Sequence, residues 1–343
     1  MRVGIIYDKG EKCKTEHEIL SAEEIKNDVI SLKKTIKSLG HEPVIIPLDM
    51  KGSDHKYSMG RFFSRIKNSG VDVVFNVCED IDNNSQTEIN IPAILNLLNI
   101  PYTGSDIFGL IMTNDKGKTK HILVSEGIPT PKYRIFYNSQ KISYSMRFPA
   151  IVKPNNEDGS FGIDSGAVVN SMEELEKRVA YVIKEFKQPA LVEEYIEGRE
   201  FHVSVFGNYP EIEILPISEI IFENFPEGKP RITDYNAKWL KESDEYRNTP
   251  VKCPADIEKG LEEKLRSIAT ECMRIFKFRD YGRVDIRVDG EGNPFVLEVN
   301  ANPDISPKAG FMRSFFATGR THEDFMQSIL SWAAGRKSEL QVS

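Results

Sequence analysis

Between Gly282 and Asn300 the chain sets acidic, amide and basic side chains at strand spacing. Gly282-Arg283-Val284-Asp285-Ile286-Arg287-Val288 alternates polar with apolar, Asp289-Gly290-Glu291-Gly292-Asn293-Pro294 is rich in turn residues, and Phe295-Val296-Leu297-Glu298-Val299-Asn300 alternates again. Two alternating runs about such a centre predict a β-hairpin. Successive strand side chains point to opposite faces, so Arg283, Asp285 and Arg287 share one face, as do Glu298 and Asn300 on the second strand. Pairing Val288 with Phe295 superposes the apolar faces, and it sets Asp285 opposite Glu298 and Arg283 opposite Asn300. Opposed carboxylates repel unless a cation lies between them. Two carboxylates and an amide, without His or Cys, favour Mg²⁺ over zinc. Taken alone, the same face is equally well a solvated one. The polar turn Ala301-Asn302-Pro303-Asp304 that follows favours a site.

Three further segments carry chemistry of a complementary kind. Asn155-Asn156-Glu157-Asp158-Gly159-Ser160-Phe161-Gly162 lies between two predicted strands, directly after Ile151-Val152-Lys153-Pro154. Glycines let backbone N–H groups close around an anion, and Lys153 stands at a strand end; by itself the loop is an ordinary hairpin turn. Asp115-Lys116-Gly117-Lys118-Thr119-Lys120 opens a helix, which in isolation is a solvated helix start. Leu191-Val192-Glu193-Glu194-Tyr195-Ile196-Glu197-Gly198-Arg199-Glu200 ends a strand in carboxylates. Those groups can accept from an adenine amino group and from ribose hydroxyls, or simply form a polar loop. A Walker A loop is excluded, because Gly117-Lys118-Thr119 has Met112 where the first glycine is required. No GxGxxG dinucleotide fingerprint occurs either.

The elements that must position these residues follow from periodicity. Val3–Tyr7, Val44–Ile46 and Val71–Val77 read as buried strands. Ile25, Val29, Leu32, Ile36 and Leu39 form one helix face that stops at Gly40. Shorter helices are marked by Phe62, Phe63 and Ile66, and by Ile91, Ile94, Leu95 and Leu98. Such alternation predicts a parallel sheet covered on both faces. After Thr103 the texture changes to α+β. A helix containing Leu123 ends before Ile128-Pro129-Thr130-Pro131, strands follow at Ala150–Lys153 and Ala167–Val169, then a helix over Met172–Phe186 and a strand at Ala190–Glu194. Phe201–Phe206 and Ile212–Ile217 read as strands. Phe225 to Pro254, with four prolines and few aliphatics, reads as a structureless functional lid.

Length and composition set the outer bounds. A chain of 343 residues suggests two or three domains, and 45 Lys+Arg against 52 Asp+Glu gives a net charge of −7. That balance excludes a generally basic nucleic-acid coat. No apolar stretch is long enough to span a bilayer, and the short run after Met1 reads as a strand and not a secretory signal. Cys13, Cys78, Cys253 and Cys272 form no CxxC pair, which predicts buried, inert thiols in a reducing cytoplasm. The 6 histidines are scattered and receive no role.

In order, these pieces resemble the ATP-grasp superfamily, and within it the D-alanine–D-alanine ligase-like enzymes. The resemblance is carried by Ile100-Pro101-Tyr102-Thr103-Gly104-Ser105, Asp115-Lys116, Val152-Lys153-Pro154, Gly159-Ser160-Phe161-Gly162, Val192-Glu193-Glu194-Tyr195-Ile196, Gly198-Arg199-Glu200, Asp234-Tyr235-Asn236-Ala237-Lys238, Gly282-Arg283-Val284-Asp285 and Leu297-Glu298-Val299-Asn300. It implies three domains: a Rossmann-like N-terminal parallel sheet (1–105), a central α+β lid domain (106–194) and a C-terminal antiparallel-sheet domain (195–336), with 337–343 as a tail. It implies ATP between the last two. Lys116 and Lys153 would hold its phosphates, Glu193, Glu194 and the Ile196 backbone its adenine, and Glu200 its ribose. Asp285, Glu298 and Asn300 would bind two Mg²⁺ ions, for which Mn²⁺ can substitute. The Gly159–Gly162 loop, Ser160 and Phe161 included, would close over the γ-phosphate. Arg283 would stabilise the acyl phosphate and tetrahedral intermediate, and Lys238 would sit on a lid over the substrates. A homodimer is also implied, with no nucleic-acid or membrane partner.

The amino-acid half departs from the family. In place of a Gly-rich loop with its glutamate the chain has Asp8 to Glu18, where only Thr15–Glu18 echoes it, making Glu16 or Glu18 the candidate ligand of a first amino acid. Trp239 stands where the family carries tyrosine or phenylalanine after the lid lysine, and Asn302–Phe311 replaces the usual turn after the metal strand. The resulting expectation is an ATP-dependent ligase joining small carboxylate and amine substrates of amino-acid type. D-alanine–D-alanine ligation itself is one alternative. A carboxylate kinase that stops at the acyl phosphate, and a catalytically idle ATP-binding module, are others.

Overall fold

The computed structural model describes residues 1–8, 16–48, 55–81, 84–140, 142, 145, 147–157, 159–225, 228–240 and 242–336. The first unit alternates β1 (Arg2–Asp8), α1 (Glu16–Ser38), β2 (Glu42–Leu48), α2 (His55–Asn68), β3 (Val73–Asn76) and α3 (Asn90–Leu97). Its strands form a parallel sheet in the order β2-β1-β3. Both faces are covered, as the sequence predicts. Val29, Leu32 and Ile36 of α1 pack with Val3, Ile5, Val73 and Phe75, while Phe62, Ile66, Ile91 and Leu95 cover Ile6, Ile46 and Val74. Tyr102 bridges to Val74, which extends the sheet into the Ile100–Ser105 segment.

Two helices, α4 (Ile107–Asn114) and α5 (Lys116–Ser125), lead into β4 (Tyr133–Phe136), β5 (Ala150–Pro154), β6 (Val168–Val169), α6 (Met172–Phe186) and β7 (Ala190–Glu194). The four strands form an antiparallel sheet in the order β4-β7-β5-β6. Leu175, Val179 and Val182 of α6 pack on Ala150, Val152, Val169 and Val192.

The remainder comprises β8 (Arg199–Asn208), β9 (Glu211–Ile214), β10 (Ser218–Ile220), α7 (Tyr235–Trp239), α8 (Asp244–Arg247), β11 (Val251–Lys252), α9 (Lys259–Phe276), β12 (Tyr281–Val288), β13 (Pro294–Asn300), α10 (Gly310–Phe316) and α11 (His322–Gly335). Six of these are strands of one antiparallel sheet ordered β11-β10-β8-β12-β13, with β9 on β8. The strand expected at Ile212–Ile217 ends at Ile214; Leu215 N still donates to the Ser204 carbonyl at 3.0 Å, but Pro216 breaks the ladder before β10 begins at Ser218. Pro216 has no N–H to give it. The stretch expected to be structureless contains α7, α8 and β11. Each of the two helices begins at its own cap, with Asp234 Oδ1 accepting from Ala237 N (2.9 Å) and Ser243 Oγ from Tyr246 N (3.1 Å).

The hairpin differs from expectation in one instructive respect. Asp285 pairs with Glu298 and Arg283 with Asn300, but Val288 pairs with Pro294 and not Phe295. A β-bulge at the Asp285/Ile286 step absorbs the extra residue. It turns Val296 and Val299, three apart, onto the same buried face, where strict alternation would have buried Leu297.

The core also crosses the expected boundary at residue 105. Phe311 and Phe315 of α10, with Phe325 and Ile329 of α11, are buried in the same cluster as Val3, Ile5 and Phe75. Among the described cysteines, Cys78 and Cys272 are buried and Cys253 is half-buried, and all three are free thiols. No helix among the described residues is long and apolar enough to cross a membrane.

Candidate active site

Three buried lysines converge from two elements. Lys116 and Lys120 stand one turn apart on α5, and Lys153 lies near the end of β5. Their approach depends on how tightly α5 meets β5. Asp115 caps the helix, accepting from Lys118 N (3.0 Å), and Asn155 binds both sides of the junction. The Asn155 Oδ1 accepts from Gly117 N (2.9 Å) and its Nδ2 donates to Asp115 Oδ1 (2.8 Å). A Cβ on Gly117 would lie 2.2 Å from Ile135 Cδ1 and 2.9 Å from Asn155 Oδ1, so a side chain there would have to displace Ile135 and disturb the Asn155 junction.

Glu193, at the end of β7, is flanked by Lys120 on one carboxylate oxygen and Lys153 on the other. Burial opposes its charge, but the two lysines prevail and hold the carboxyl below the usual range. Burial likewise drives the Lys120 ammonium down to about 8 against the pull of Glu193. Sequence reading gave Lys120 no role. Its spacing from Lys116 puts both on one helix face, but only the pairing with Glu193 shows that this face is buried. Glu194 is on the opposite side of β7, with its carboxylate 3.9 Å from Lys132.

The hairpin carboxylates are balanced by cations of this same chain. Lys116 Nζ donates to Glu298 Oε1 at 2.6 Å, and Arg283 forks onto Asp285, with Nε to Oδ1 at 2.6 Å and Nη2 to Oδ2 at 2.9 Å. Burial works against the Arg283 charge, yet Asp285 and Glu298 raise its pKa above the ordinary value. Among the described residues no three His, Cys, Asp or Glu side chains are gathered to hold a metal. Mg²⁺ does not need them, since it is commonly held by one or two carboxylates together with substrate phosphates and water. The all-oxygen set of Asp285, Glu298 and Asn300 fits that demand.

On β8, Glu200 accepts from Arg287 Nη2 at 2.5 Å, and the same guanidinium donates to the Ile196 carbonyl at 3.2 Å. The residues expected at ribose and adenine thus share one arginine. Burial opposes the Glu200 charge, but Arg287 and His202 bring its pKa down to about 2. His202, in register with Asp285, lies 3.8 Å from Glu200 and 3.9 Å from Asp285. Neither Arg287 nor His202 was singled out as a site residue.

The glycine loop requires left-handed backbone at Gly159, Ser160 and Gly162, with φ of 64°, 63° and 78°. It is joined to the polar segment on β8's side of the site. Ser160 Oγ donates to the Thr233 carbonyl (2.8 Å), Tyr235 N donates to the Ile163 carbonyl (3.0 Å), and the Phe161 and Tyr235 rings meet edge to face. Thr233 Oγ1 in turn donates to Glu200 at 3.1 Å. Lys238 stands exposed on α7, three residues beyond Tyr235. The side chains of Glu16, Glu18 and Trp239, and the tail 337–343, lie outside the described residues.

A parallel-sheet unit followed by two antiparallel sheets, with buried lysines facing an acidic hairpin, defines an ATP-grasp ligase. The family model described as D-ala D-ala ligase C-terminus matches residues 122–331, and the chain belongs to that family. A protein of Sinorhizobium fredii named uncharacterized protein y4sG is 37% identical over 264 residues, covering 77% of this chain and 75% of that one. The D-alanine–D-alanine ligase of Carboxydothermus hydrogenoformans is 34% identical over 250 residues, covering 70% and 75%. A solved structure of D-alanine–D-alanine ligase from Bacillus anthracis, complexed with ATP, superposes with a TM-score of 0.73 over 99% of each chain, at 22% identity. At that identity the likeness speaks for the fold.

Proposed function

We propose that this ATP-dependent C–N ligase activates the carboxylate of an amino-acid-type substrate as an acyl phosphate and passes it to an amine, with D-alanine as the first candidate for both. One observation carries the reading: Lys116, Lys120 and Lys153 are buried, Lys116 against Glu298 and the other two against Glu193, a concentration of charge that is costly to withdraw from water. D-alanine enters through the named relatives, several of them D-alanine–D-alanine ligases.

A carboxylate is a poor electrophile, and condensing it with an amine in water is uphill. Phosphoryl transfer supplies a leaving group, and it depends on positioning and charge neutralisation. In this proposal Lys116 and Lys153 bind the phosphates, Glu193 and the Ile196 backbone hold the adenine, and Glu200 holds the ribose. Ser160 and its neighbours cover the γ-phosphate. Arg283 neutralises charge on the acyl phosphate and on the oxyanion formed when the amine attacks. Mg²⁺, held by Asp285, Glu298 and Asn300, would supply charge neutralisation at the transferring group. The segment bearing Lys238 excludes water, which would otherwise hydrolyse the acyl phosphate. The free thiols Cys78, Cys253 and Cys272 suit a reducing cytoplasm.

The test is ADP release across a panel of D- and L-amino acids. Release only when an acid and an amine are both present supports ligation, whereas release with the acid alone identifies a carboxylate kinase. A silent panel under all conditions overturns the reading.

A further inference from the structure

Asn302, two residues past the end of β13, has its backbone N–H and both polar groups of its side chain committed. Its backbone N–H donates to Asn300 Oδ1 at 2.8 Å, its Nδ2 donates to Glu88 Oε1 at 2.6 Å, and its Oδ1 accepts from the Tyr281 hydroxyl at 3.1 Å. The orientation of the amide is unambiguous, because only Nδ2 can face a carboxylate. Glu88 is 7% exposed and Tyr281 1%, so both partners are fixed in the interior. The Tyr281 hydroxyl lies against Gly104, where an added Cβ would sit 3.2 Å away.

These contacts join distant parts of the chain at one point. Glu88 closes the one-turn 3₁₀ segment Ser85–Thr87, which belongs to the first unit. The same turn touches the base of the glycine loop, where Ser85 Oγ donates to the Asn156 carbonyl at 2.9 Å. Pro303, buried directly after Asn302, further restricts the backbone there. With its side chain gripped at both ends, Asn302 has little freedom to redirect its N–H. That N–H engages one lone pair of Asn300 Oδ1 and so fixes the amide's orientation, leaving the second lone pair of Oδ1 for a cation. A hard cation takes oxygen and not an amide nitrogen.

We propose that Asn302 is a positioning residue for Asn300, and that through Glu88 it makes the affinity for the divalent cation depend on the first unit of the chain. The inference rests on the Mg–ATP reading above. Partners that orient a metal ligand typically change affinity 10–100-fold when removed.

The experiment titrates Mn²⁺, followed by electron paramagnetic resonance, into the full-length protein with a non-hydrolysable ATP analogue. Asn302→Ala and Glu88→Ala should each weaken Mn²⁺ binding by about tenfold. The double variant should be no worse than either single one, while Glu88→Gln, which keeps an acceptor oxygen, should recover most of the affinity. Binding of the analogue without metal should be unchanged. Wild-type affinity in Asn302→Ala, or losses that multiply in the double variant, would overturn the proposal. Should Asn302→Ala fail to fold, the comparison of Glu88→Ala with Glu88→Gln decides the same question. If the unaltered protein binds no Mn²⁺ with the analogue, the failure belongs to the Mg–ATP reading instead.

Discussion

Lys116 Nζ lies 2.6 Å from Glu298 Oε1, an ion pair that joins the start of α5 to β13 across 182 residues of sequence. The lysine side chain is 7% exposed and the glutamate 24%, so the pair is only partly screened by water. Its two members carry opposite proposed tasks, one toward phosphate and one toward metal, and they meet at one place.

Glu298→Ala removes the carboxylate from both roles. We expect Mg-dependent ATP turnover to fall by about 10²-fold or more, on the scale of losing one preorganised electrostatic group. The far-ultraviolet circular dichroism should stay native, since the β13 core residues are Val296 and Val299. A variant that keeps most of its ADP release would count heavily against a metal at this position.

Lys238 makes a different forecast. It is exposed on α7, and that helix is bonded to the glycine loop through Tyr235 and Ile163. Lys238→Ala should therefore leave ATP affinity near the wild-type value while coupling of ADP release to amine falls about tenfold, within the range of a lid contribution. Equilibrium nucleotide binding and product yield per ADP, measured side by side, separate the two. Unchanged coupling would remove the assigned role.

How much of this was legible before the structure can be judged at particular residues. Strand alternation placed Asp285 opposite Glu298 because one face had to be buried, and burial is the strongest constraint on register. The bulge beside them was invisible, since Val296, Leu297 and Val299 are all apolar and pattern alone does not say which two go inside. Met172–Phe186 was legible from end to end, with a serine cap before it and an apolar face of period 3.6 within. Lys120 was not, because a lysine on a helix is ordinarily solvated and only tertiary pairing with Glu193 shows otherwise. Tyr235–Trp239 was missed for a similar reason: a five-residue helix has too few turns to display a period, leaving its Asp234 cap as the sole local signal.

Glu200 gives the chain a defined acid sensitivity. Its folded-state pKa of about 2 lies below the ordinary 4.5, with burial outweighed by Arg287 and His202. A depressed carboxyl contributes stability that is fully present above its unfolded pKa. That contribution is lost as pH falls from about 4.5 toward about 2. Urea unfolding at a series of pH values through this window should show a steeper decline for wild type than for Glu200→Gln. Parallel curves would mean that Glu200 titrates alike in both states.

The glycine loop allows strain and chemistry to be separated within four residues. Gly162 has φ of 78°, and an added Cβ would lie 2.6 Å from Pro154 and 2.8 Å from Phe186. Gly162→Ala must therefore displace the loop, and we expect lower thermal stability together with a raised KM for ATP. Ser160 is also left-handed, at φ 63°, but carries a side chain whose hydroxyl reaches the Thr233 carbonyl. Ser160→Ala keeps the unfavourable backbone and loses the hydrogen bond, costing about 1 kcal/mol. Ser160→Gly loses the same bond but removes the left-handed penalty of roughly 1–2 kcal/mol, against which the freer unfolded chain offsets roughly 0.5–1 kcal/mol. The glycine variant should thus unfold at a higher temperature than the alanine variant, while both show the same rise in KM if the hydroxyl's bond to Thr233 is what holds the loop over the phosphate. Calorimetry and ATP titration on the pair provide the check: a wild-type KM in both would release Ser160 from that task.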